Sequence, residues 1–429
     1  MNIFKFLSAV ENRNFLRLWI GQVISQFGDR IHQLALVGLI AERSPGSAVG
    51  LAKLLAFTII PVFLIQPFAG VFVDRWDRRT TLFVCDLLRG LLVLTIPFLF
   101  IYKTSMLPIY AVVFLVFCCS RFYVPAKMSI IPDLVETNQL ITANSLVTTT
   151  GMIAFVLGCA LGGFLIDWWG ARAGFIIDAG TFFVSGIFVF SIQNQMKFRM
   201  NRERLSRARR EIAQRFKKSV FVEIKDGIVY LIKNREISFV INILFVLLAA
   251  AGAIYVVIIV FIQQSFGSVT KDLGVLAVFL GLGLFVGAIV YGKYGKSVRW
   301  YKTIFTSLVF GGICLVIFAY VVHYWQNLWV AMGLSFLLGM IIGPIFIASN
   351  TVVQLVSQDK MRGKVFSALE IVIHFSFLVS MLVSSWLAEF VPRIWILMGI
   401  GILFMFIGLG GLIKTRRGAP LAFTGQRMA

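Results

Sequence analysis

Two pairs of titratable side chains stand at helical spacing inside long apolar stretches of the sequence. Asp29 and His32 are three residues apart, so both would lie on one face of a helix. Glu370 and His374 are four residues apart and would do the same. An ionisable group at the centre of a membrane helix costs about 2.5–3.5 kcal/mol on insertion scales, which favours a functional role. Because a buried carboxyl group can exchange a proton for a cationic group, these residues are our candidates for proton and substrate sites.

Structural interpretations compete with these roles. Asp29 could pair with Arg30, but adjacent residues point about 100° apart on a helix and pair poorly, so we favour a functional Asp29. His32, a lone histidine on an apolar face, is more often a packing residue. Lys53 and Asp178 lie nearer the outer ends of their apolar stretches, where snorkelling or a mutual contact is the simpler explanation. The second titratable pair is explained equally well as the counterpart, in the second half of the chain, of the charged latch described below.

Membrane helices are the elements that must position these side chains. The 429 residues are 59% hydrophobic and 14% charged, with a mean hydropathy of +0.90, far outside the range of soluble globular proteins. Apolar runs of about 20 residues, long enough to cross a bilayer, recur along the chain. The predicted spans lie near 16–41, 47–73, 80–102, 105–127, 141–167, 172–192, 236–263, 270–292, 300–322, 327–356, 365–389 and 393–413. The predicted fold class is an all-α polytopic membrane protein, with twelve transmembrane helices in two six-helix bundles.

The distribution of charge orients these spans. Residues 1–192 form the first predicted bundle and 236–413 the second, joined by a basic linker at 193–235 and followed by a cytoplasmic tail at 414–429. With the N-terminus inside, the cytoplasmic segments hold 31 of the 40 Lys and Arg residues, and the outer segments hold five. Since cytoplasmic loops are rich in Lys and Arg, this asymmetry predicts that both termini are cytoplasmic.

The same asymmetry accounts for the net charge of +21. In a soluble protein such a charge would suggest nucleic-acid binding. Here the basic residues are spread over the cytoplasmic segments, where they meet anionic lipid headgroups. The predicted partners are the lipid bilayer, a small-molecule substrate and protons, and nucleic acid is not among them.

Sequence patterns typical of enzymes or metal sites are missing. The five cysteines lie inside apolar spans without metal-ligand spacing, and neither H-E-x-x-H nor G-x-S-x-G occurs. Gly295-Lys296-Ser297 falls short of a phosphate-binding loop, because Val290 stands where glycine is required. We expect no cofactor, no metal and no enzymatic activity.

A short charged turn separates the second and third predicted spans. The stretch GVFVDRWDRR at 70–79 has five charges in its last six residues. Gly70 would let its span approach a neighbour closely, and Asp74 would cap the helix end or pair across the interface between the bundles. The arginines would bridge to acidic groups or to helix C-termini. The predicted gate residues are Gly70, Asp74, Arg75, Asp77, Arg78, Arg79, Asp86 and Arg121.

Depth gives the last two of these residues a structural or gating role rather than a substrate-binding one. Asp86 and Arg121 lie about 9 Å from the inner ends of their spans, the depth expected for partners of Asp74. Arg89, three residues after Asp86, is placed to pair with it.

Gly, three residues, Asp-Arg, two residues and Arg-Arg, between the second and third of twelve spans, resembles the signature of the Major Facilitator Superfamily. Asp77 stands where the general signature has glycine, and this D-R-x-D-R-R version is similar to that of the macrolide and drug exporter branch. The stretch VPAKMSIIPDLV at 124–135, followed by Ala-Asn-Ser at 143–145, resembles the same branch.

A small-residue run in the fifth span resembles the antiporter element of this superfamily. The run is Gly158-Cys-Ala-Leu-Gly-Gly163, in which Cys159 replaces the proline of that element. Ala154, Gly158 and Gly162 are spaced by four, which gives a flat face for close packing at the interface between the bundles. Gly158, Gly162 and Gly163 are the predicted packing motif of this helix.

The resemblance implies a monomeric secondary transporter of the cytoplasmic (inner) membrane that works by alternating access. It further implies proton-coupled efflux of amphiphilic or cationic small molecules of drug or macrolide type. The charged turn would latch the cytoplasmic face in the outward-open state. Two alternatives remain: an exporter or flippase of a lipid-like or siderophore cargo, and a non-transporting membrane scaffold or sensor.

Overall fold

The computed structural model describes residues 12–73, 75–101, 105–136, 139–193, 235–294, 300–356 and 362–416. Within these ranges the chain is almost entirely helical and contains no strand. The helices are α1 Arg13–Arg43, α2 Ala48–Leu64, α3 Gln66–Val73, α4 Arg78–Ile101, α5 Leu107–Leu134, α6 Leu140–Phe190, α7 Arg235–Phe266, α8 Lys271–Tyr294, α9 Trp300–Tyr324, α10 Leu328–Val356, α11 Arg362–Leu387 and α12 Arg393–Arg416.

Three of the predicted spans are divided or joined in the structure. The second span is divided into α2 and α3 at Ile65. Pro67 lies in the first turn of α3, where its missing N–H leaves no helical hydrogen bond unmade. The fifth and sixth spans are both contained in α6, whose two halves meet at Gly170 (φ 79°, ψ 166°). Glycine adopts a positive φ without a Cβ clash, so the chain changes direction there without a loop.

Apolar surface agrees with a membrane location. Eight helices of the described ranges are long and apolar enough to cross a bilayer. Large apolar side chains such as Phe98, Phe390 and Phe406 are exposed, which would be a liability in water and is expected against lipid. Trp168, beside the kink of α6 at Gly170, and Trp329, at the start of α10, are exposed, as in the aromatic belts of membrane proteins.

The chain forms two compact units. The first contains Met1–Leu39 and Leu54–Glu223, and the second contains Ile40–Lys53 and Ile224–Ala429. The segment Ile40–Lys53 therefore belongs to the second unit, although it precedes most of the first in sequence.

Arg393, at the start of α12, holds this segment in the second unit. Its Nη2 atom donates to the carbonyl oxygen of Gly46 at 2.7 Å, and its Nη1 atom donates to Oε1 of Gln264 at 2.7 Å. One guanidinium thus joins the turn after α1, the end of α7 and the beginning of α12.

Interlocked glycine faces pack the second unit. A Cβ added at Gly287 of α8 would lie 2.3 Å from the carbonyl oxygen of Met340 in α10. A Cβ at Gly339 of α10 would lie 2.1 Å from the carbonyl oxygen of Leu280 in α8. Since the obstructing atoms are backbone, neither helix can yield locally, and the contact requires glycine from both sides.

We predict that Gly287→Ala destabilises the second unit by about 1–3 kcal/mol, because the new methyl group overlaps the backbone of α10. Gly292→Ala on the same helix is the matched control, since no described atom lies within 4 Å of a Cβ built there. Thermal unfolding of the two purified variants in detergent measures the difference. Equal unfolding temperatures would contradict the glycine contact.

Candidate functional site

Gly28 brings α1 against the second half of α6. A Cβ at this position would lie 1.9 Å from Oγ1 of Thr181 and 2.6 Å from Oδ1 of Asp178. The missing side chain therefore lets the two backbones approach, as small residues do between membrane helices. One turn further along α1, this approach places His32 beside Asp178.

His32 and Asp178 form a buried pair. Nδ1 of the imidazole lies 2.9 Å from Oδ2 of the carboxyl group, and the side chains are 4% and 0% exposed. The two atoms are in contact without the alignment of a hydrogen bond. The imidazole ring also packs edge-on against Phe175, with 5.4 Å between ring centroids. An imidazole and a carboxyl group in contact inside the first unit make this pair a candidate site for proton binding.

Asp29 lies in the same electrostatic environment. Its side chain is half-buried, and the charged groups close enough to act on it are Arg89, Asp178, Arg30 and His32. Lys127 of α5 also lies within electrostatic reach of Asp29. The predicted pair of Asp29 and His32 is therefore part of a larger charged cluster inside the first unit.

Asp86 and Arg89 of α4 form a second buried pair. The guanidinium donates Nη2–H to Oδ1 of Asp86, and Oγ of Ser185 donates to Oδ2 at 2.8 Å. The guanidinium also lies 4.2 Å from the ring centroids of both Tyr123 and Phe182. Asp86 was predicted to have a structural or gating role and to pair with Arg89, and the occupation of both its oxygens inside the first unit favours the structural role.

The charged turn fixes the start of α4. Oδ1 of Asp77 accepts the backbone N–H of Thr80 at 2.7 Å, the geometry of an N-cap. Arg78 pairs with Asp133 of α5 and donates to the carbonyl oxygen of Ser129 at 3.0 Å. The prediction that an arginine of the turn bridges to an acidic group is confirmed for Arg78.

Two further arginines hold the end of α6. Arg79 donates to the carbonyl oxygens of Phe190 and Val189, and Arg17 donates to that of Ser191. Cations at a helix C-terminus satisfy its free carbonyls and oppose the helix dipole. The predicted contact of Arg79 with a helix C-terminus is therefore found.

At Gly70 the structure differs from the prediction. No described atom lies within 4 Å of a Cβ built at Gly70, so the close approach expected there is absent from the described structure. Arg121 donates to Oε1 of Gln66 at 3.3 Å, and its predicted partnership with Asp74 stays a prediction. The backbone N–H of Arg75 continues the last turn of α3. Asp74 lies outside the described residues.

The glycine motif packs within the first unit. A Cβ at Gly158 would lie 2.8 Å from Cβ of Arg30, and one at Gly162 would lie 3.3 Å from Cα of Ile31. Gly163 is buried. The motif was expected at the interface between the bundles. In the structure Gly158 and Gly162 instead pack against α1, because their lack of side chains lets α1 lie close to α6.

The second predicted titratable pair lies on α11. His374 is half-buried, and the side chain of Glu370 lies outside the described residues, so their contact stays a prediction.

Sequence profiles now place this architecture in a family. The profile of the Major Facilitator Superfamily matches residues 18–381. The chain belongs to the Major Facilitator Superfamily. It is therefore a secondary transporter rather than an enzyme, and its fold is that of twelve transmembrane helices in two six-helix bundles.

Individual superfamily members are similar at low identity. The MFS-type transporter YkuC of Bacillus subtilis is 26% identical over 371 residues, which cover 85% of this chain and 82% of YkuC. Macrolide efflux protein A of Streptococcus pyogenes is 23% identical, over 71% of this chain and 72% of its own. The crystal structure of a bacterial homologue of the iron transporter ferroportin, in an inward-facing state, superposes with a TM-score of 0.69. It has 13% identity and covers 93% of this chain and 98% of its own.

Sequence reasoning missed the contribution of Asp178 to the site. The expected snorkelling or contact with Lys53 is replaced by the contact with His32, and Lys53 itself is exposed. A usable signal was present: counted from the outer ends of their spans, His32 and Asp178 differ in depth by only about 5 Å.

We predict that Arg89→Leu destabilises this superfamily member by about 3–5 kcal/mol, because Asp86 is left buried without its cation. The double variant Asp86→Ala, Arg89→Leu should recover much of that loss, since neither charge is then stranded. Thermal unfolding of both purified variants tests the pair. A double variant no more stable than Arg89→Leu would mean that the packing of Arg89 on its two rings, and not the charge pair, determines stability.

Proposed function

We propose that this transporter exports amphiphilic or cationic small molecules in exchange for protons. The observation that carries the proposal is the titratable cluster of Asp29, His32 and Asp178, formed where α1 meets the second half of α6, in which His32 and Asp178 are buried and Asp29 is half-buried. Arg89 pairs with Asp86, and Arg30 and Lys127 are the other cations close to Asp29. A proton on Asp29 can then be replaced by the cationic group of a cargo, which is the exchange that antiport requires.

Export is supported by the name of one relative. Macrolide efflux protein A is an efflux protein by name, and this chain covers 72% of its length. Together with the D-R-x-D-R-R turn, that similarity favours a drug-like cargo moving outward.

The remaining features of the proposal follow from charge and family. The transporter would lie in the cytoplasmic membrane as a monomer, with both termini cytoplasmic. Cargo would reach the cluster alternately from each side as the bundles rock. Because Arg78 and Arg79 are engaged within the first unit, a cytoplasmic latch would depend on Asp74.

We predict that Asp29→Asn abolishes proton release on cargo binding while leaving the protein folded, because an amide cannot give up the proton. Lightly buffered protein in detergent would be mixed with rhodamine 123 (cationic), erythromycin (a macrolide) and lysophosphatidylcholine (a lysolipid), and released protons read with a pH dye. Glu389→Gln, at an exposed carboxyl group, is the control and should release protons normally.

Two results would count against this assignment. If the Asp29→Asn protein still concentrates a cargo in vesicles against a pH gradient, the carboxyl group is not the proton site. If lysophosphatidylcholine binds and no compound releases protons, a lipid-like cargo moved without proton exchange becomes the better account.

A further inference from the structure

Arg30 lies in the middle of α1, adjacent to Asp29 in sequence. In α1 it is about 25 Å from the first residue and about 20 Å from the last, so neither row of lipid headgroups lies within reach. Its side chain is half-buried. A charge at this depth requires compensation from the protein, from water or from a bound molecule.

The side chain of Arg30 is held in place by three groups. Nη1 donates to Oε1 of Gln33 at 3.0 Å, one turn along α1. The guanidinium lies 5.0 Å from the ring centroid of Phe155 on α6. The aliphatic part lies over Gly158, where an added Cβ would come within 3.0 Å of both Cβ and Cγ of Arg30. Glycine at this position therefore makes the room that the arginine fills.

Arg30 differs from Arg89 in what neutralises it. Arg89 has a buried carboxylate, and two aromatic rings lie against its guanidinium. Arg30 has one neutral amide and one ring, and no carboxylate of the described chain lies within ion-pair distance of it. A guanidinium has five N–H donors, of which Gln33 takes one. Arg30 is thus fixed in position with most of its hydrogen-bonding capacity unused.

We infer that Arg30 binds an anionic group of the cargo, most simply a carboxylate. Guanidinium groups bind carboxylates through two parallel hydrogen bonds, and the ring of Phe155 offers an apolar face beside them. This inference rests on the proposed function and narrows it: Asp29 takes the cationic group, and Arg30 takes the anionic one. The cargo class is then a zwitterionic amphiphile rather than a simple cation.

Two dyes with one scaffold test the inference. Rhodamine 110 carries a xanthylium cation and a free carboxylate, and rhodamine 123 is its methyl ester. Binding to purified protein in detergent would be measured by fluorescence anisotropy. The native protein should bind rhodamine 110 about tenfold more tightly, the difference expected for one charge-assisted contact. This comparison needs no variant, so it does not depend on the folding of any substituted protein.

Variants assign the preference to Arg30. Arg30→Gln should weaken rhodamine 110 binding to the level of the ester and leave the ester unchanged. Arg30→Lys keeps the positive charge but cannot form two parallel hydrogen bonds to a carboxylate, so its preference for rhodamine 110 should be intermediate. Arg172→Gln, at an exposed arginine in the second half of α6, should keep the full preference. Each variant would first be checked for an unchanged unfolding temperature.

The inference is overturned if the native protein does not bind rhodamine 110, if it binds the two dyes equally, or if Arg30→Gln retains the preference. Proton release measured on the same samples separates this failure from failure of the proposed function. If both dyes cause proton release but bind equally well, Arg30 does not bind the carboxylate, and proton exchange still stands. If rhodamine 110 binds more tightly but neither dye causes proton release, Arg30 binds the carboxylate, and proton exchange is ruled out.

Discussion

A charge placed in hydrocarbon must be compensated by its immediate neighbours, because no bulk water is there to solvate it. The first unit meets this requirement with contacts within helices and with contacts between them. Within α4, Arg89 pairs with Asp86. Between helices, Asp178 of α6 faces His32 of α1, and Ser185 of α6 donates to Asp86 of α4. The contacts between helices compensate charge and also join the helices, so charge compensation contributes to helix packing in this unit.

The two units achieve close packing in different ways. In the second unit, glycines of α8 and α10 bring backbone against backbone. In the first, Gly28 and Gly158 make room for polar side chains: Asp178 and Thr181 at one position, and Arg30 at the other. The glycines of α8 and α10 thus bring two backbones together, whereas Gly28 and Gly158 make space for polar or charged side chains. This contrast fits a transporter whose described chemistry is concentrated in the first bundle.

Local patterns in the sequence were sufficient for part of this structure. Hydropathy predicted the spans, and spacing of three residues predicted the pair of Asp86 and Arg89, because both depend on a single helix. His32 and Asp178 are far apart in sequence, and their contact depends on the glycine that lets α1 approach α6. The packing role of Gly158 was readable as a small-residue pattern. The helix that packs against Gly158 could not be predicted, since the spacing of small residues along one helix does not identify the neighbouring helix.

Gly170 joins two halves of α6 that contact different charged groups of α1. Phe155 and Gly158, which hold Arg30, lie in the first half of α6, and Asp178 lies in the second. The two halves are joined by a single non-helical residue rather than by a loop with slack. Arg30 and His32 of α1 therefore contact α6 on opposite sides of Gly170, so the angle at this one residue sets how both charged groups meet their partners.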